Sequence, residues 1–177
     1  MPVVRHQGEE AAEFYTSIFK NSRIVHVARY GEAGPRPAGS VMTVSFELDG
    51  RKFLALNGGP QFTFSEAVSF QVDCRSQEEV DEYWSRLGDG GEEGPCGWLK
   101  DRYGLSWQVV PTRLAELLGD PDPETSQRVM RAMLDMKKID IATRAGSGAL
   151  GLEARRETEL GEQLGEDEVM QPDDPPA

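Results

Sequence analysis

The stretch EEAAEFYTSIF (residues 9–19) decides the fold, because the chain contains it twice. Laid over EEVDEYWSRLG (residues 78–88), Glu9, Glu10 and Glu13 fall on Glu78, Glu79 and Glu82. Phe14-Tyr15 falls on Tyr83-Trp84, Thr16 on Ser85, and Ile18 on Leu87. Each copy places its apolar residues at helical spacing, with glutamates in the first turn, where the helix dipole favours anions. Ser76 is a natural N-cap for the second copy.

The match continues outward. Residues 41–48 (VMTVSFEL) and 52–57 (KFLALN) alternate as strands around Asp49-Gly50, a strong hairpin signal. Gly50 followed by Phe53 corresponds to Gly104 followed by Trp107, where short strands near 98–101 and 105–110 flank a turn. Residues 23–30 and 68–73 also read as strands. A duplicated βαβββ unit accounts for both matches and for their order. The expected class is α+β, with two paired modules curling into an open, incomplete barrel around a pocket. The first module takes residues 1–57, its opening strand no longer than Pro2–His6, and the second takes 58–111. Residues 112–143 carry two helices, 112–119 and 124–138, the second with Val129, Met130, Met133 and Leu134 on its inner face.

This plan resembles the vicinal oxygen chelate superfamily, the glyoxalase and bleomycin-resistance group. The blocks EEAAEFYTSIFKNSRI (9–24), LNGGPQFTFSEAVSFQVDC (56–74), SQEEVDEYW (76–84), CGWLKDRYGLSWQVVP (96–111) and LLGDPDPETSQRVMRAMLDMKKIDI (117–141) are similar to its PhnB-like branch. Many members of that branch are described as 3-demethylubiquinone-9 3-methyltransferase. The resemblance covers roughly residues 3–143 and implies a homodimer.

The resemblance also implies where a metal would be held, and this chain departs from that pattern. The closing-strand carboxylate falls four residues after the turn glycine, here on Gln108, which brings no charge. The histidine that opens the second half falls near Ala67, which has no ligating atom, and the first-strand ligand falls at or before Met1. No metal and no cofactor are expected. His6 and His26, the two histidines of the chain, read as structural or exposed. Methyl transfer from S-adenosylmethionine calls for a glycine-rich loop between a strand and a helix. Asn57-Gly58-Gly59-Pro60 follows a strand but leads into a loop, so it reads as a turn.

The pocket lining expected from the sequence is aromatic and amide-rich: Phe62, Phe64, Phe70, Trp98 and Trp107, with Asn57, Gln71 and Gln108 as polar groups. An apolar cavity with a few convergent polar groups suits a small molecule. The same aromatics serve equally well as the core of two sheets. Cys96 has no histidine or lysine close in sequence to activate it, and it reads as silent. Glu66 and Asp101 are candidate acid/base groups that read equally as surface carboxylates.

Charge separates the remaining classes. The 177 residues carry a net charge of −12, which argues against nucleic acid as a partner. Most of it lies in the tail: residues 147–177 hold nine acidic and two basic residues, while all fourteen aromatics lie between Phe14 and Trp107. Residues 144–177 are therefore expected to be an acidic, disordered tail. No apolar run is long enough to span a membrane. Two cysteines outside any CxxC pair fit a reduced cytosol, so a cytoplasmic location is expected. The function expected is binding of a hydrophobic or aromatic small molecule, with the reaction open. Two alternatives stand beside it: an enzyme acting on a quinone-like or phosphonate-type substrate, and an interaction protein working through its tail.

Overall fold

The computed structural model describes residues 7–141. The opening strand expected over Pro2–His6, His6 itself and the acidic tail 144–177 lie outside the described residues. Within them the chain is a mixed α+β fold with two sheets and four helices, and no closed barrel. The order is α1 (Gly8–Ile18), β1 (Arg23–Arg29), β2 (Val41–Leu48), β3 (Arg51–Leu56), β4 (Ser69–Cys74), α2 (Gln77–Gly88), β5 (Glu92–Glu93), β6 (Trp98–Lys100), β7 (Ser106–Pro111), α3 (Thr112–Leu118) and α4 (Pro123–Leu134).

The duplicated stretches are the helices α1 and α2. The Ser76 hydroxyl accepts from the Glu79 amide, and the Glu79 carboxylate accepts from the Arg75 amide, so both ends of the cap are satisfied. After α1 comes the antiparallel sheet β1-β2-β3, and around α2 the sheet β4-β7-β6-β5, with β4 parallel to β7 and the other pairs antiparallel. The three strands that follow α1 thus correspond to the three that follow α2. Asp49 and Gly50 both adopt positive φ (46° and 74°) at the β2–β3 turn, the geometry that a two-residue hairpin demands.

β5 is a two-residue strand in a glycine-rich stretch, Gly88 to Gly97. Its Glu92 and Glu93 pair with Lys100 and Leu99. Gly91 permits this, since a Cβ there would stand 2.0 Å from the Lys100 carbonyl oxygen.

One core joins the two halves. Ala12, Tyr15 and Ile18 of α1, Val44 and Phe46 of β2, Val80, Trp84 and Leu87 of α2, and Leu99, Trp107 and Val109 of the second sheet form one buried cluster. Both helices lie on the same side of the sheets: Tyr15 stacks on Phe46 of the first sheet (6.5 Å) and meets Trp107 of the second (5.6 Å).

The C-terminal helices depart from expectation. Met130 and Leu134, expected on the inner face of α4, are 42% and 59% exposed, and Thr125 is the buried residue of that helix. Just downstream, residues 136–141 return to the second sheet as a strap. The amides of Cys96 and Gly97 donate to the carbonyls of Met136 (2.8 Å) and Lys137 (2.7 Å). Ile139 is buried, and the Gln77 side chain donates to the Ile139 carbonyl while accepting from the Ile141 amide. Gly97, at φ 82°, admits Ile139, because a Cβ there would lie 3.0 Å from the Ile139 Cδ1.

Candidate functional site

Side chains alternate along a strand, and the helices settle which alternate set is covered. Leu99 on β6 and Trp107 and Val109 on β7 belong to the helix-covered core. The opposite set is Trp98 and Lys100 on β6, Ser106 and Gln108 on β7, and Ser69 and Gln71 on β4. Strand register places these six residues in two neighbouring rows, Gln71–Gln108–Trp98 and Ser69–Ser106–Lys100. Among the described residues no helix packs on this face. Phe53 and Phe70, on the covered side, meet edge to face at 5.7 Å. Leu54 and Leu56, which alternate with Phe53 along β3, therefore open to the same side as the two rows, and both are largely exposed.

The polar groups of the open face are oriented but not used up. The Gln108 amide donates to the Ser69 hydroxyl (2.9 Å), and the Gln71 amide donates to the Asp73 carboxylate (2.7 Å). Each glutamine keeps its carbonyl and one N–H. Ser106 is 1% exposed, and its hydroxyl has no hydrogen-bond partner among the described residues. A buried hydroxyl without a partner is costly and calls for an explanation.

Residues 57–68, which connect β3 to β4, supply the rim. Phe62 (84% exposed) and Phe64 stand out into solvent. Glu66 of this connection pairs with Lys100. The hydrogen bond from Lys100 holds the Glu66 carboxyl below the usual carboxylate range, and the same bond pushes the Lys100 ammonium above the usual lysine value.

The eight residues that the sequence singles out divide by position. Gln71, Gln108 and Trp98 form one row of the open face, and Phe62 and Phe64 stand exposed on the connection between β3 and β4. Phe70, 39% exposed, meets the rings of Trp107 and Phe53. Trp107 is buried in the core, where its indole N–H donates to Asp101 (2.8 Å). Asn57 is 2% exposed and its amide is committed: Oδ1 accepts from the Gly8 amide at the start of α1 (3.0 Å), and Nδ2 donates to the Val41 carbonyl (3.1 Å).

Asp101 is no surface carboxylate. It is 1% exposed and accepts from the Tyr15 hydroxyl (2.6 Å), the Trp107 indole, and the Tyr103 (2.8 Å) and Leu105 (3.1 Å) amides. With four donors in place it anchors the second hairpin to α1 and is closed to substrate. The sequence names neither Lys100 nor Ser69 nor Ser106 as site residues. Their signal is the two-residue step in Trp98-Leu99-Lys100 and Ser106-Trp107-Gln108, which puts each beside a residue already singled out.

A second concavity of about 600 Å³ lies between the helices, lined by Phe14, Ile18, Trp84, Arg86, Asp89 and Glu93 among others. Its charged groups are matched internally. Arg86 donates to the Ile18 carbonyl at the end of α1, the Trp84 indole donates to Glu93 (3.0 Å), and Asp89 pairs with Arg102. No group of three His, Cys, Asp or Glu side chains able to hold an ion comes together among the described residues.

A sequence model of the family described as 3-demethylubiquinone-9 3-methyltransferase matches residues 3–110. Among solved structures, a PhnB protein from Bacillus cereus is 36% identical, with a TM-score of 0.55, over 61% of this chain and 93% of that one. Protein PA1353 from Pseudomonas aeruginosa, 18% identical with a TM-score of 0.51 over 62% of this chain and 92% of that one, shares the fold. Among curated proteins none matches.

Proposed function

Because the chain belongs to the 3-demethylubiquinone-9 3-methyltransferase family, we propose that its uncovered sheet face binds a hydrophobic or aromatic small molecule without a metal. The observation that carries this reading is the row Gln71–Gln108–Trp98: two amides that keep hydrogen-bonding groups beside an indole, on a face that no helix among the described residues covers. The ring of Trp98 offers a stacking surface, and the amides fix orientation. In this reading the two sheets are the halves of a vicinal oxygen chelate fold, open on the side away from α1 and α2. Exposed apolar residues along β3 and the 57–68 connection also suit pairing of two copies. Light scattering is expected to give twice the 19.6 kDa chain mass.

The binding test is a titration of fused-ring aromatics followed by tryptophan fluorescence. Trp98→Leu and Gln108→Leu are each expected to weaken binding about tenfold, the scale of one stacked ring or one good hydrogen bond. Affinity unchanged in both variants sinks the assignment of this face.

The family's description raises methyl transfer to a quinone-like acceptor as a second reading. It needs a place for S-adenosylmethionine. Here Asn57-Gly58-Gly59-Pro60 leads into a connection instead of a helix, and Asn57 is spent on starting α1. A shift of several degrees in melting temperature with S-adenosylmethionine would restore that reading.

A further inference from the structure

The second row, Ser69–Ser106–Lys100, says more about the ligand than the first. Lys100 is the cation of this row, and its ammonium faces the side to which Trp98 also points, two residues along the same strand. Its counterion, Glu66, comes from the exposed connection between β3 and β4 and not from the sheet. Beside it, Ser106 holds a buried hydroxyl without a partner. A cation neutralised by an exposed loop carboxylate is a place where a carboxylate already sits. The two rows are one two-residue step apart, about 6.8 Å. That spacing lets a flat ring lie on Trp98 and the glutamine amides while an acid group attached to it reaches Lys100.

We propose that the ligand of the open face is an aromatic carboxylate, and that Glu66 is a built-in competitor which its carboxylate displaces from Lys100. This rests on the reading of the open face as the binding site and specifies its chemistry. Lys100 supplies the charge, Trp98 the stacking surface, and Gln71 and Gln108 the groups that orient further polar substituents on the ring.

The full-length protein is titrated with 2-naphthoate and with 2-naphthamide, its neutral counterpart of the same shape, by calorimetry. Naphthoate is expected to bind at least tenfold more tightly than naphthamide, the scale of a charge-assisted hydrogen bond. Lys100→Met is expected to remove that preference. Glu66→Gln is expected to tighten naphthoate about threefold, the scale of an exposed ion pair removed from competition. Circular dichroism melts confirm that both variants are folded. Equal affinity for the two probes, with both lost in Trp98→Leu, keeps the open face as a binding site and overturns the carboxylate assignment. Weaker naphthoate binding in Glu66→Gln overturns the competitor role. If neither probe binds the wild type or Glu66→Gln at millimolar concentration, the site and its chemistry fail together.

Discussion

The hydroxyl of Tyr15 on α1 donates to the carboxylate of Asp101 at the second hairpin across 86 residues of chain, at 2.6 Å. The bond joins the first half of the duplication to the second. It is made by residues that the duplication does not match to each other: Tyr15 lies over Trp84, and Asp101 over Glu47. The halves therefore cohere through a contact specific to this pairing.

Asp101→Ala is expected to cost about 3–5 kcal/mol, because it leaves Tyr15, Trp107 and two backbone amides without an acceptor in the core. Tyr15→Phe removes one of the four donors and is expected to cost about 1–2 kcal/mol. Urea denaturation measures both. A loss below 1 kcal/mol for Asp101→Ala would show that the network carries little of the stability.

Stability is expected to fall on the alkaline side. Burial pushes the Cys74 thiol from 9.0 up to about 12. Burial, followed by the charge of Asp101, also raises the Tyr15 phenol far above its ordinary value of 10.0. Both groups stay protonated in the folded chain at pH values where the unfolded chain releases its protons. The stability they represent is complete below about pH 9 and is lost as pH climbs towards 12 and beyond. Melts from pH 7 to 11 test this, and Cys74→Ala should flatten the onset above pH 9. A flat profile in the wild type speaks against it.

Thiol chemistry should separate the two cysteines. Cys74 is fully buried and its thiolate disfavoured, whereas Cys96 is partly exposed. An aromatic disulfide reagent at pH 8 is expected to label Cys96 and to reach Cys74 only after denaturant is added. Mass spectrometry of the labelled peptides decides it.

Asn57 and Gly8 form a matched pair. A Cβ at Gly8 would stand 2.9 Å from the Asn57 Oδ1. Gly8→Ala is expected to cost about 1–2 kcal/mol in the wild type, and much less in Asn57→Gly, where the obstructing amide is gone. A double-mutant cycle with no coupling would mean that the contact is not formed in solution.

Much of the fold was legible in the chain, for reasons of period and of turn chemistry. The two helices share a spacing of glutamates and aromatics, and Asp49-Gly50 has the backbone freedom its turn needs. The α4 face was misjudged because an amphipathic pattern records that a helix has an apolar side without recording what covers it. The strap at 136–141 is held by backbone hydrogen bonds, and no local pattern announces it. At the site, Gln71, Gln108 and Trp98 were named by chemistry alone, and the register of β4, β7 and β6 then set them in a row. Asp101 eluded a reading by residue type, because a carboxylate between Lys100 and Arg102 looks like surface. Its burial depends on Tyr15 arriving from the far end of the domain.

The strap also bears on what the chain tolerates. It fastens the polypeptide again just beyond α4, so α3 and α4 form an excursion held at both ends, by β7 and by residues 136–141. A cut within that excursion would leave the two fragments gripping each other, and a foreign segment spliced into the 119–122 connection would meet little of the core. The molecule carries a natural port for insertion, a place where a tag or a reporter can be grafted while the sheets on either side stay joined.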